Sequence, residues 1–338
     1  MTVPYNHEYL QKSRINVWVP ELRYLFYRSR FVFLLTRILL SIGFACVIHY
    51  AVERNKDVSL PTGILSYVSV VLGMLLAFRT NTAYDRYWEG RKLWNTLEDV
   101  SMNLFRGFQC YVTIKSEEIK KKNDQALKNV VSTCFAIRYY LLGKHDYVPT
   151  EICEILSPEI LDVLTSKNYA NASNSKEISS KSCSNSEMRS FSDSNSDFND
   201  EGLNLPYRLT FELSKYIEDL PPDCLKAPAY SVLLASINSI VSAFKGCLRI
   251  QTTPMPFSYS SFLYRSVILY LLCLPFLSKG YGYLVTVLIQ ALVTFLLYGA
   301  LAIAEEIEDP FGNDKNDLHM KKICGNIYKE WEFISKLS

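Results

Sequence analysis

LPTGILSYVSVVLGMLLAFRTNTAYDRYWEGRKLW, residues 60–94, is the stretch whose reading decides the fold. Residues 60–78 carry no charge, and their number is close to the ~20 residues that a helix needs to cross a bilayer. From Arg79 onward the character changes: Arg79, Asp85, Arg86, Glu89, Arg91 and Lys92 alternate with Tyr84, Tyr87, Trp88 and Trp94. An apolar helix therefore runs directly into a charged, aromatic segment. Ser66, Val70, Gly73 and Met74 fall on one face of that helix, and the face is small or apolar. Set around a symmetry axis, it makes a narrow hydrophobic constriction. Set against a neighbouring helix, it makes a packing seam with close approach at Gly73. The charged half has three readings: ion pairs within the helix, anchoring at the membrane interface by Trp88 and Trp94, or arginines at the mouth of an anion path. Periodicity alone leaves these open.

Working outward, residues 31–50 form a first apolar span, interrupted by Arg37 and His49, and residues 53–59 are a short polar connection. Arg37 lies near the basic end of its span, where it can snorkel or face protein. Lys and Arg are dense before residue 31 and after residue 78, whereas the connection holds only Arg54 and Lys56. The positive-inside rule then places both ends of the hairpin in the cytosol. Residues 1–30, with Lys12, Arg14, Arg23, Arg28, Arg30 and Trp18, read as an amphipathic lead-in at the membrane surface. No apolar signal core precedes them, so insertion is expected to use the first span.

Residues 95–164 have helical periodicity without membrane character: Leu97, Val100, Leu104 and Phe105, then Val130, Val131, Phe135 and Ile137. Ser157-Pro158-Glu159 reads as a helix start. Residues 165–200 are dominated by Ser and Asn, a composition that cannot bury enough apolar area to offset chain entropy, and a disordered loop is expected. Its Asn171-Ala172-Ser173 sequon is not expected to be used in the cytosol. Residues 228–250 are strongly amphipathic, with Tyr230, Leu233, Leu234, Ile237, Ile240, Val241, Phe244 and Leu248 opposite a face rich in Ser. Two prolines in QTTPMPFSY (251–259) break this helix. Residues 260–277 and 283–304 supply two more spans around a tight turn, and an acidic segment, EEIEDPFGNDKND, follows at 305–317. The segments are thus 1–30, 31–94, 95–164, 165–200, 201–258, 259–304 and 305–338, with four spans in two hairpins.

The mixture of 49% hydrophobic and 21% charged residues fits one chain with a membrane part and an aqueous part. A net charge of +2 gives no global attraction for nucleic acid. Nine cysteines without a C-x-x-C pair read as free thiols of a reducing compartment, and four scattered histidines have no zinc spacing. No nucleophile–base pattern, Walker loop or dinucleotide fingerprint is present, which argues against an enzyme. Carboxylates and Asn on the 309–317 turn suit a hard cation, although the spacing is not that of an EF-hand.

FRTNTAYDRYWEGRKLW (78–94), QTTPMPFSY (251–259) and EEIEDPFGNDKNDL (305–318), in that order, resemble the bestrophin family, on the side of its microbial and plant members. The resemblance covers both hairpins and most of the soluble helices; residues 165–200 look like an insertion. It implies an all-α integral membrane protein with four transmembrane helices in two hairpins and cytosolic helices, forming a homopentameric ion channel around one central pore. The hydrophobic neck of such a pore comes from the second span. Val71-Leu72-Gly73 is similar to the family's V-L-G neck motif, which places Ser66, Val70 and Met74, beside Gly73, at the neck. Ser66 and Met74 depart from the bulky Ile or Phe usual there. Arg79 and Arg86 then fall at the pore mouth. Animal members hold calcium in a clasp after N-P-F-G. Here Asp314 and Asp317 match two acidic positions, Asp309 replaces the Asn, and calcium is the cofactor implied. The expected permeant ion is chloride or another small anion, the expected partners are the lipid bilayer and further copies of the chain, and the expected location is the plasma membrane with both termini cytosolic. Cation conduction, and a non-conducting membrane scaffold or channel regulator, are the competing expectations. A coupled transporter is disfavoured, because the spans lack a deep ionisable residue apart from Arg37 and lack broken-helix repeats.

Overall fold

A computed structural model of the protein describes residues 29–54, 62–143, 204–277, 282–312 and 316–337. The lead-in up to residue 28, the connections at 55–61 and 278–281, the helix start at Ser157, the 165–200 loop with its sequon, and Asp314 lie outside the described residues. The described residues are helical, with no strand among them. The helices are α1 Ser29–Arg54, α2 Thr62–Cys110, α3 Glu117–Leu141, α4 Leu205–Glu218, α5 Ala227–Thr252, α6 Phe257–Cys273, α7 Tyr283–Glu308 and α8 Met320–Leu337. A short 3₁₀ turn, Leu274–Leu277, follows α6. The chain divides into two units: Met1–Asp85 with Pro254–Glu308, and Arg86–Thr253 with Asp309–Ser338.

The first unit holds α1, the first part of α2, α6 and α7. Its apolar contacts run through Leu34, Leu72, Leu263, Val267, Leu271, Tyr298 and Leu301. The outward faces are apolar as well: Leu284, Leu288, Leu292 and Leu296 of α7 are all exposed. The buried side of α7 is instead marked by Thr286, Gln290, Thr294 and Tyr298 at steps of four. Gln290, Thr294 and Tyr298 meet α1. Ser41 Oγ lies 2.9 Å from Thr294 Oγ1, Gln290 Nε2 donates to Ser41 Oγ at 2.6 Å and to the Leu271 carbonyl at 3.1 Å, and Arg37 Nη1 donates to Tyr298 Oη at 3.2 Å. Arg37 thus faces protein. Apolar outside and hydrogen-bonded inside is the pattern of helices in lipid, where burial of apolar surface gives no drive and each such bond contributes roughly 0.6 kcal/mol.

The second unit is built the other way round. Trp94, Leu97, Leu104, Phe105 and Phe108 of α2 pack with Leu127, Val130, Val131 and Ile137 of α3, Leu209 and Leu213 of α4, Leu233, Ile240 and Phe244 of α5, and Ile323 and Ile327 of α8. Each fully buried side chain of this size contributes roughly 1.5–3 kcal/mol relative to exposure in water. Ser116 caps α3, accepting from the Ile119 N–H at 3.3 Å, and Glu117 and Glu118 complement the helix dipole in the first turn. α5 opens with Pro228 in its first turn, where a missing N–H costs nothing. It ends ahead of Pro254, as its sequence requires.

Among the described residues five helices are long and apolar enough to cross a membrane: Leu34–Val52, Leu65–Cys110, Ala227–Thr252, Phe257–Leu277 and Tyr283–Glu308. Length and composition thus admit α5 beside the four expected spans. Its Leu233, Ile237, Ile240, Phe244 and Ile250 are nevertheless buried in the core of the second unit, and Ser236 and Ser239 on its polar face bond back to the carbonyls four residues earlier.

Candidate functional site

Within the first unit, α2 presents two unlike faces. Leu65 and Leu72 are buried, with Leu72 only 3% exposed. The expected neck residues lie elsewhere on the helix: Val70 is 72% and Met74 60% exposed, Ser66 is exposed, and a Cβ added at Gly73 would meet nothing within 4 Å. Tyr67 and Val71 beside them are also exposed. The Ser66 carbonyl accepts from Ser69 Oγ at 2.7 Å, which keeps that hydroxyl on its own helix. Among the described residues the small-residue face is therefore exposed, and the seam that holds α2 in its unit is the Leu65–Leu72 side.

The charged continuation is organised by long-range contacts. Arg79 is buried, and its Nη2 donates to Glu308 Oε2 at 2.6 Å; the side chains are 4% and 16% exposed. Nη1 also contacts the sulfur of Met255. The other Glu308 oxygen accepts from the Met255 N–H at 2.9 Å, so one carboxylate ties α2 to the chain just ahead of α6. Nearby, Tyr264 Oη donates to Glu305 Oε1 at 2.5 Å. In the second unit, Arg86 donates to the Ile250 carbonyl and to the Thr253 carbonyl, both at 2.6 Å. A guanidinium on the last carbonyls of α5 satisfies acceptors that the helix cannot, and its charge suits the negative end of the dipole. Glu89 pairs with Arg249 of the same helix. These charges therefore work between elements. Tyr84 and Trp88 are exposed, whereas Trp94 is fully buried in the core and anchors no interface.

The acidic turn folds on itself. Asp309 accepts from the Phe311 N–H at 3.4 Å, and the Leu318 N–H closes on the Pro310 carbonyl at 3.0 Å. The Phe311 ring is buried against Gly90, where an added Cβ would come within 3.2 Å of it. Asp309 is exposed and Asp317 buried. Among the described residues no group of three or more His, Cys, Asp or Glu side chains converges on a point. Among the described residues seven cysteines stand outside any disulfide, with Cys134, Cys224, Cys247 and Cys324 buried.

Comparison with known proteins gives a family and a fold. The family described as Bacterial/Fungal Bestrophin protein matches residues 17–332. A voltage-dependent anion channel-forming protein of Nostoc sp. is 32% identical over 276 residues, covering 80% of this chain and 76% of that protein. A protein of the same description from Synechocystis sp. is 27% identical over 303 residues, 89% and 87% of the two chains. The crystal structure of a bacterial bestrophin homologue from Klebsiella pneumoniae has the same fold, with a TM-score of 0.68 at 22% identity over 89% of this chain and 98% of that one.

Proposed function

The chain belongs to the bestrophin family, and we propose that it is an anion-selective channel conducting chloride or a similar small anion passively through a pore shared by several copies. The relatives named above as anion channel-forming proteins supply the ion class. The observation that carries the pore is the exposed face of α2: Ser66, Val70 and Met74 are exposed and an added Cβ at Gly73 would meet nothing within 4 Å, while Leu72 on the other side is buried. Repeated about an axis, five such faces make a neck. Its apolar walls hold an ion weakly enough to release it, and they gate by dewetting or by rotation of Met74. Arg79 and Arg86 shape the cytosolic mouth by fixing the helices around it: one is neutralised by Glu308, and the other is bonded to the end of α5.

In this reading four helices, α1, the first part of α2, α6 and α7, cross the membrane, and both termini face the cytosol, the side favoured by the flanking Lys and Arg. Calcium is a candidate ligand of Asp309, Asp314 and Asp317. Among the described residues the carboxylates do not converge.

Purified protein in planar bilayers under asymmetric potassium chloride tests the reading. The reversal potential is expected near the chloride equilibrium potential; reversal at the potassium potential would make the channel cationic, and absence of current with and without calcium would favour a scaffold.

A further inference from the structure

We propose that the second unit binds a soluble phosphate compound in the cavity between the end of α3 and the start of α8, with Arg138 as its buried anchor. The cavity holds about 400 Å3 and is lined by Arg138, Gly312, Leu318, His319, Lys321 and Lys322, among others. That volume lies in the range of small-molecule sites and far above that of one water. Arg138 is only 9% exposed, and among the described residues its Nη1 has no hydrogen-bond partner. Among the described residues no carboxylate forms an ion pair with it.

A buried guanidinium without a counter-charge is costly, and such groups are ordinarily paired. Two features steady this one. It stands in the last turn of α3, where the helix dipole favours a cation, and it lies 4.9 Å from the centroid of the Tyr139 ring. Neither gives Nη1 an oxygen acceptor. The Arg138 side chain borders the cavity, where an oxyanion would give its guanidinium the missing counter-charge.

His319, Lys321 and Lys322 are exposed around the same space, so among the described residues its lining carries four basic side chains and no carboxylate. The Met320 and Lys322 N–H groups are already bonded to the Leu318 and His319 carbonyls. Recognition therefore rests on the side chains more than on the helix N-terminus. A planar guanidinium fork matches two oxygens of one phosphate, and lysines add charge without demanding geometry. This set suits a polyvalent oxyanion better than a monovalent halide. The ligand is assigned as soluble because neither α3 nor α8 is among the helices long and apolar enough to cross a membrane.

The test uses the full chain in phosphatidylcholine nanodiscs, titrated with pyrophosphate and with AMP in a calorimeter at constant ionic strength. Saturable binding is expected, weakened at least tenfold by Arg138→Gln and by Lys322→Glu. Lys336→Glu, at the far end of α8 and paired with Glu332, is expected to leave it unchanged. If Arg138→Gln does not fold, Lys322→Glu and His319→Glu carry the test. No saturable binding, or binding that Lys322→Glu and His319→Glu leave intact, overturns the proposal. Binding of dioctanoyl phosphatidylinositol phosphate without binding of pyrophosphate overturns the assignment to a soluble ligand. The readout involves no ion flux, so its failure leaves the channel reading untouched.

Discussion

At the scale of single residues, burial decides what a charge can do. Arg79 and Glu308 are held nearly out of solvent by each other. Removing one partner leaves the other buried and uncompensated, at a cost of roughly 3–5 kcal/mol. Arg79→Gln and Glu308→Gln are each expected to lower the unfolding temperature in detergent clearly, and the two together to cost less than the sum of the singles. Additive losses would show that the pair is not coupled. This contact also marks where sequence reading stops. Residues 79–94 disclosed their charges, but i, i+4 logic looks only along one helix. The partner of Arg79 stands 229 positions away, and the acceptors of Arg86 stand 164 and 167 away. The thiols offer a second test. Burial pushes Cys134 up to about 11, with the Ser101 hydrogen bond pulling slightly back and Glu98 adding a little. Its folded value lies above the unfolded one, so the neutral thiol favours folding. That contribution is complete below the ordinary thiol value of 9.0 and is lost as pH rises through about 11. At pH 8 iodoacetamide is expected to modify the exposed Cys110 readily. Cys134 is expected to be spared, being on the order of a hundredfold slower from its thiolate fraction alone. Comparable labelling of the two by peptide mass spectrometry would contradict its burial.

At the scale of elements, α2 is one helix with two environments, and its glycines show how tightly its second part is packed. An added Cβ at Gly107 would lie 2.5 Å from Leu233 Cδ2, and one at Gly246 of α5 would lie 2.7 Å from Leu93 Cδ2. Leu233 is fully enclosed in the core, whereas Leu93 is only partly buried. Alanine in a helix otherwise gains about 1 kcal/mol over glycine, while overpacking a closed core costs about 1–3 kcal/mol. Gly107→Ala is therefore expected to destabilise and Gly246→Ala to be near neutral, although the two distances are similar. Gly107→Ala combined with Leu233→Val is expected to recover part of the loss. Equal melting temperatures for both single variants would show that Leu233 can yield. The apolar stripe of α5 was legible in the sequence because a 3.6-residue period reports burial directly: Leu233, Ile237, Ile240 and Phe244 are all buried. Tyr230, assigned to the same stripe, is exposed, since the period continues past the point where neighbouring helices stop covering it. The buried polar steps of α7 escaped that reading. In an apolar span Thr286, Gln290 and Thr294 carry the packing signal, and a search for hydrophobic periodicity passes over them.

At the scale of the whole molecule, the bare face of α2 separates a pore from a lipid-facing or scaffold surface, and it can be tested without knowing the number of copies. If Val70 lines a shared axis, Val70→Cys places several thiols within reach of one soft cation. Cadmium is then bound by more than one thiolate and blocks the path. Flux through Val70→Cys channels is expected to fall at least tenfold in micromolar cadmium and to return when a chelator is added. Leu72→Cys is the internal control, because residue 72 is buried inside its own unit. The parent protein reports any block through the native cysteines, of which Cys46 and Cys273 lie in α1 and α6. Block in Val70→Cys alone fixes the face at the axis. Equal block in all three proteins places the cadmium site at native thiols. Full conduction by cadmium-treated Val70→Cys turns the face outward, and the ion path would then have to be sought on another helix.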